Sequence, residues 1–276
     1  MPYLEKSTYR PDPIFHNGHI STIYSGVIRK FGPPDYDRKK LILPDADFLL
    51  LDYKLQDSQK AVILCHGLEG NSRKNNVCAN YFLEKGYSVF AWNNRSCGGQ
   101  MNLLPQLYHH ASMEDLEYVV KHVVQNGFTQ VFLVGFSLGG DQIMNYLGKR
   151  KIPVDVKAAV AISAPFQLRS SAEKLQSGLS KIYQRRFIGK VKAKIAAKAI
   201  QFPDAVPADA AKYIKNFDDV VTRFIIPVHG GYSNLDDYYL NASPGNSVAG
   251  IKLPLLVINA WDDPILGTKD HPVEMA

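Results

Sequence analysis

The sequence predicts an α/β protein: a mostly parallel sheet, helices on both of its faces, and a helical insertion over one edge. Three observations carry this. Short apolar runs alternate with helix-type patterns, the arrangement that right-handed crossovers between parallel strands require. In VFLVGFSLGGDQIMNYLGK, residues 131–149, a strand-type run breaks at Gly135, turns around Ser137 and resumes as an amphipathic helix. Between Phe166 and about Asp237 the strand rhythm vanishes and helical, basic, then loop-like sequence takes over. At 276 residues the chain suits one large α/β domain or two small ones.

Taken in order, the first forty residues are rich in proline and aromatics and read as an irregular wrap over the core. RKKLILP and DFLLLDYKL form a hairpin across the turn residues Pro44 to Asp47. QKAVILCHG is a short buried strand ending at His66-Gly67. Asn75 to Lys85 is helical and stops before Gly86. YSVFAWNNR is a strand running into a polar loop. SMEDLEYVVKHVVQNG opens with Ser112 and Asp115 at capping-box spacing and closes at Gly127. TQVFLVG is the strand before Ser137, VKAAVAISAP is another, and LPLLVINAWDDP ends a further buried strand with two adjacent carboxylates. The organisation expected is a wrap and core over 1–165, a cap over 166–237, and a return to the core over 238–276. A cap at the C-terminal edge of an open sheet covers the place where such sheets bind ligands.

Composition narrows the class. The hydrophobic fraction of 46% and charged fraction of 21% are those of a globular protein. No stretch reaches the roughly 18 apolar residues of a membrane helix, and MPYLEKSTYRPDP lacks the apolar region of a secretory signal. Three cysteines, Cys65, Cys78 and Cys97, show no metal-type pairing and fit a reducing cytoplasm. The net charge of +6 is unevenly placed: KIYQRRFIGKVKAKIAAK, residues 181–198, holds seven Lys or Arg residues and no acid. It reads as the solvated face of a surface helix, or else as a weak contact for anionic lipid headgroups. No aromatic-basic platform accompanies it, so nucleic acid is not expected.

GFSLG fits G-x-S-x-G with a strand before and a helix after, the context of a nucleophile elbow. A serine attacking a carbonyl needs two N–H donors facing the developing oxyanion. The amide of Leu138, at the helix start, is one; in HGLEGNS, Gly67 lets the backbone turn inward so that the amide of Leu68 is the other. His66 is given a loop-shaping, hydrogen-bonding role. The serine also needs a histidine, and the histidine an acid to hold its tautomer. Chain order places the acid after the serine, and Asp262, the first carboxylate after Ala260 and Trp261, is preferred, with Asp263 a loop or capping residue before Pro264 and the alternative acid.

HGLEG, the NNRSCGG loop, GFSLGG, FDDVVTRF, DDYYLNAS, INAWDDP and the N-terminal PIFHNGHISTIYSGVIR together resemble the YheT-like branch of the α/β-hydrolases. The resemblance spans nearly the whole chain in the right order. It implies the α/β-hydrolase fold, a helical cap, a Ser-Asp-His triad and hydrolysis of carboxylic esters without a cofactor, with eukaryotic relatives acting on phospholipids. Carried over by position, Ser137 is the nucleophile and Asp262 the acid. The end of the chain departs from the family, whose histidine follows a further strand some twenty-five or more residues beyond the acid. Here fourteen residues follow Asp262, and His271 is the histidine among them. The chain therefore reads as lacking the last strand, helix and histidine, or as using an improvised base. His109, His110 and His229 read as loop or cap residues, and loss of a final strand is expected to expose an apolar edge.

The remaining candidates read as structural. Cys97 is a packed cysteine, Ser163 ends a strand, and Asp218, Asp219, Asp236 and Asp237 lack a ligand-spaced histidine, so no metal is expected. The function expected is a serine hydrolase of short-chain or lipid-like esters acting through an acyl-enzyme. The alternatives are a crippled hydrolase fold that binds an acyl ligand without turning it over, and an acyltransferase using the same serine.

Overall fold

The structure, a computed structural model, describes residues 8–29 and 31–271. Seven strands form one sheet in the order β1-β2-β4-β3-β5-β6-β7. Strands β1 (Asp37–Ile42) and β2 (Phe48–Lys54) are the expected hairpin, and β2 runs antiparallel to β4. From there β4 (Ser88–Asn93), β3 (Lys60–Cys65), β5 (Gln130–Phe136), β6 (Val156–Ile162) and β7 (Leu255–Ile258) are all parallel. β4 is buried at every position and β3 at all but its first, because helices cover both faces. Residues of α2 (Asn76–Glu84), such as Ala79 and Phe82, pack on one face. Residues of α3 (Met113–Gln125) and α4 (Leu138–Lys149), such as Leu116, Val120 and Ile143, pack on the other.

After β6 the chain leaves the sheet for α5 (Leu168–Leu175), α6 (Lys181–Gln201), the short α7 (Phe217–Val220) and α8 (Ile226–His229), and α9 (Leu235–Ala242). These helices build an apolar core of their own around Ile195, Val221, Phe224 and Tyr238, closed by Leu107 and Ala111 from the loop before α3. Among the described residues no helix is long and apolar enough to cross a membrane, and no cluster of His, Cys, Asp and Glu could hold a metal ion.

Four expectations need correction. The N-terminal wrap is partly helical: a single turn at Pro13–Phe15, then α1 (Gly18–Ile23), continued by a wide turn over Tyr24–Ile28. The Asn17 side chain starts α1 by accepting the amides of His19 and Ile20. Ser112 precedes α3 but forms no capping box. Its hydroxyl accepts the His109 amide, and Asp115 turns away to pair with Arg95 at 2.8 Å. β7 is not a buried strand. Among the described residues it pairs only with β6, and Leu256 and Ile258 are 47% and 49% exposed. The basic helix is not uniformly solvated either. Lys198 is fully buried, its ammonium donating to the carbonyls of Asn102 and Leu104, and burial lowers its pKa to about 8.

Candidate active site

The serine corner is over-determined by its glycines. Ser137 stands between β5 and α4 with φ 52° and ψ −125°, a left-handed conformation costing a non-glycine residue on the order of 1–3 kcal/mol. A Cβ on Gly135 would lie 2.4 Å from the Gly139 carbonyl oxygen, and one on Gly139 would lie 2.4 Å from that of Cys65. One on Gly140 would meet the Ala164 methyl at 2.7 Å. Strand, turn and helix thus approach more closely than side chains permit. The Ser137 amide donates to the Ile162 carbonyl at 2.8 Å, and the Ser137 carbonyl accepts from Gly140 at 2.8 Å. The backbone is held on both sides while the half-buried side chain lines a cavity.

The loop after β3 closes over the same cavity. A Cβ on Gly67 would sit 3.2 Å from the Ser137 Cβ and 3.8 Å from its hydroxyl oxygen, so a larger residue would crowd the serine. His66 fixes this loop from beneath. Its Nε2 accepts the Asn94 amide at 3.1 Å, so the proton is on Nδ1, which donates to the Gly67 carbonyl at 2.7 Å. Burial lowers its pKa to about 4, and the ring is a neutral strut. Leu68 and Leu138 border the cavity with Ser137, and among the described residues neither amide has a hydrogen-bond acceptor. For Leu138 this follows from its place at the first helical position.

The acid side is looser. Ser163 leaves β6 with φ 49° and donates its amide to Ile258 at the end of β7. Beyond β7 the two carboxylates separate. Asp263 is half-buried and accepts the Ile265 amide at 2.8 Å, and burial raises its pKa against the hydrogen bonds of Ile265, Leu266 and Ser163. Asp262 is exposed and packs against α1, where a Cβ on Gly18 would come 3.1 Å from its carboxyl carbon. Its carboxylate accepts no hydrogen bond among the described residues. His271 stacks on Trp261 at 4.7 Å, and no hydrogen bond joins it to Ser137.

Two arrangements were not legible from the sequence. His110, expected to be a plain loop residue, lines the cavity, and its Nδ1 lies 2.5 Å from Oδ2 of the fully buried Asp141 in the first turn of α4. Burial raises the Asp141 carboxyl and lowers His110 to about 4, so both favour neutral forms with a proton between them. The second is Glu69, which meets Lys194 of the cap at 2.9 Å. For the first pair the sequence offers only an acid four residues beyond the serine, which does not name its partner. The second joins residues 125 positions apart, which no local pattern records. His109 and His229 pack edge-on at 4.9 Å within the cap core.

The rest of the cavity wall is apolar, supplied by Leu168, Leu175, Val191, Val221 and Phe224 of the cap. The site thus joins a strained serine, two amides without acceptors among the described residues, and a largely apolar cavity beneath the cap.

Comparison with known proteins identifies the family. The model of the family described as Serine aminopeptidase, S33, matches residues 56–271. The Escherichia coli (strain K12) protein named "Putative esterase YheT" is 31% identical, over 94% of this chain and 78% of its own. The human protein named Phospholipase ABHD3 is 28% identical, over 98% of this chain and 69% of its own. In fold, the chain is similar to the Pyrococcus furiosus esterase Pf2001, with a TM-score of 0.54, 19% identity and coverage of 88% of this chain and 78% of that one. The match to the family model over most of the chain, and the kinship with YheT over nearly all of it, make the chain a member of the α/β-hydrolases, in their YheT-like branch.

Proposed function

We propose that the chain cleaves carboxylic esters through an acyl-enzyme on Ser137. The observation that carries the reading is the strained serine itself, held at a strand-to-helix corner inside an apolar cavity beside two amides without acceptors. A left-handed non-glycine residue persists only where its surroundings enforce it, and such strain clusters at reacting groups. The hydroxyl oxygen attacks the acyl carbon, and the carbonyl oxygen becomes an oxyanion stabilised by the Leu68 and Leu138 amides. The serine proton must pass to a base and from there to the leaving alcohol, with Asp262 the acid that would orient an imidazole in that role; water then repeats the sequence on the acyl-enzyme. Asp262 suits the acid because its carboxylate is uncommitted, whereas an oxygen of Asp263 is spent on its own loop. The apolar chamber suits an acyl chain, and the names of the esterase and phospholipase relatives fit the same chemistry. No step calls for a cofactor.

A second reading rests on one observation: among the described residues no imidazole is hydrogen-bonded to Ser137. In that reading the cavity binds an acyl ligand, and turnover is the residual about 10³ to 10⁴ over water that an oxyanion hole and binding alone support. One experiment separates them. A fluorophosphonate probe, followed by mass spectrometry, labels Ser137 in the native chain and leaves Ser137→Ala untouched if the serine is activated. A folded sample without the adduct defeats the hydrolase reading in favour of the binding one.

A further inference from the structure

The loop that supplies the Leu68 amide is tied to the cap as well as to the sheet. Glu69 follows Leu68 with φ 54°, another left-handed non-glycine residue. Its carboxylate is 5% exposed and borders the apolar cavity. Lys194 of α6 donates to its Oε1 at 2.9 Å, and the Tyr108 hydroxyl donates to the same oxygen at 2.9 Å. That hydroxyl also accepts the Glu69 amide at 2.7 Å, so one phenol holds the backbone and side chain of residue 69 together. One turn earlier on α6, Lys190 donates to the Glu69 carbonyl at 3.4 Å. Lys194 is fixed in turn by the Cys97 sulfur at 3.3 Å and the Tyr108 ring, whose centroid lies 5.4 Å away.

A buried ion pair adds little to stability, but breaking one leaves an uncompensated charge, which is costly. Lys194 therefore cannot move with the cap unless Glu69 moves too, or is left unpaired in an apolar wall. Gly67 and Gly70 flank residues 68 and 69, so the loop backbone has other conformations within reach and something must select this one. We propose that Lys194, acting through Glu69, is a positioning residue that holds the Leu68 amide at the oxyanion position, so that a seated cap and a competent oxyanion hole form together. The inference rests on the hydrolase reading of Ser137.

The test uses the intact chain with Lys194→Met, Lys194→Arg and Glu69→Gln. Three quantities are measured: kcat and KM on p-nitrophenyl butyrate, the rate of fluorophosphonate labelling at Ser137, and amide exchange over residues 66–70 against β3 and β5. Loss of one oxyanion donor typically slows turnover on the order of 10²-fold. Lys194→Met should accordingly slow kcat and labelling by about 10²-fold, with KM changed less than about threefold. Exchange over 66–70 should quicken while β3 and β5 stay protected. Lys194→Arg should restore most of the rate, and the Lys194→Met/Glu69→Gln pair should be no worse than its worse single change, because both cut one link. Should Lys194→Met lose protection in β3 and β5, Glu69→Gln, which keeps the side chain's volume, decides by the same readouts. A rise in KM with kcat and labelling unchanged makes Lys194 a wall of the cavity and overturns the proposal, as does unaltered exchange over 66–70. If native Ser137 takes no label, the hydrolase reading falls, and exchange over 66–70 alone decides the coupling.

Discussion

The two ends of the site are built differently. At the serine end the chain is squeezed from every side: β3, β5, β6 and α4 converge, three glycines permit the contact, and a neutral His66 braces the facing loop. At the acid end a four-residue edge strand with two half-exposed apolar side chains leads to an exposed Asp262, an exposed Trp261 and a stacked His271. Ser137 sits where strands crowd on both sides, whereas Asp262 stands in an exposed loop beyond the edge strand. Strain such as that at Ser137 needs neighbours that hold it in place, and the middle of a covered sheet supplies them.

The sharpest way to break this contrast is to add one methyl group at each end. Gly139→Ala places a carbon 2.4 Å from the Cys65 carbonyl oxygen, backbone against backbone. We expect a loss of about 3 kcal/mol or more, at the upper end of overpacking costs, read as a lowered midpoint in urea. Gly18→Ala also meets a backbone oxygen, that of Asp262, but there the obstacle is an exposed loop able to shift. Its cost should stay below about 1 kcal/mol, as for surface changes. Equal losses at the two positions would show the acid end to be as rigid as the serine end.

A second comparison lies within the acid end. Asp262→Asn should slow ester turnover by about 10²-fold or more with little change in stability, since a triad amide holds the wrong tautomer. Asp263→Asn should cost about 1 kcal/mol of stability through the weakened loop hydrogen bonds and leave turnover within a fewfold of native. Turnover kinetics and urea melts on both variants assign the acid, and the opposite pattern would transfer the role to Asp263.

The serine end also predicts a pH dependence. His66 is held near pKa 4 by burial, against about 6.5 in an unfolded chain, whereas the equally lowered His110 faces Asp141, whose raised carboxyl takes up a proton on folding and offsets it. At His66 the folded state therefore binds fewer protons than the unfolded state between these values. The stability this ring contributes is complete above pH 6.5 and drains away as pH falls towards 4. For the fully buried His66 the full loss approaches about 3 kcal/mol, from about 1.4 kcal/mol per pKa unit. Urea melts between pH 7 and 4.5 should show a steep decline, and His66→Gln, already less stable at pH 7, should show a shallower one. An identical slope in the variant would place the titration elsewhere.

The same contrast governs what could be read from sequence. The elbow was legible because its constraints are local: glycines two before, two after and three after a serine state the crowding directly. The close approach of the loop after β3 to Ser137 was legible for the same reason, through Gly67 and Gly70. The Glu69–Lys194 and His110–Asp141 contacts were not, since each depends on where the cap or the neighbouring helix comes to rest. Lys198 shows the limit from the other side. It sits in a basic run that reads as solvent-facing, yet its ammonium is buried because two loop carbonyls, nearly a hundred residues earlier, turn inward to receive it. In the N-terminal segment a helical signal lies beneath the prolines and aromatics: Ile20, Ile23, Tyr24, Val27 and Ile28 follow the spacing of one helix face.

That face gives the smallest expected effect. Ile20, Ile23, Val27 and Ile28 are 43–61% exposed, and α1 meets the start of α6 through a hydrogen bond of 3.0 Å between His19 Nδ1 and the Tyr183 hydroxyl. Leu179 and Ile182, 65% and 62% exposed, lie beside the exposed Lys181, Arg185 and Arg186. Apolar side chains mixed with cations suit an anionic lipid surface, where each basic residue contributes about 1 kcal/mol. We expect liposome flotation to retain the chain weakly on vesicles containing phosphatidylserine and not on neutral ones, with retention lost at high salt. Replacing Lys181, Arg185 and Arg186 with glutamate should abolish it while leaving Ser137 labelling intact, because these side chains face away from the cavity wall formed by Phe187 and Val191. Retention that ignores both salt and lipid charge would assign the open side no electrostatic role, and the difference between the two ends would then be one of packing alone.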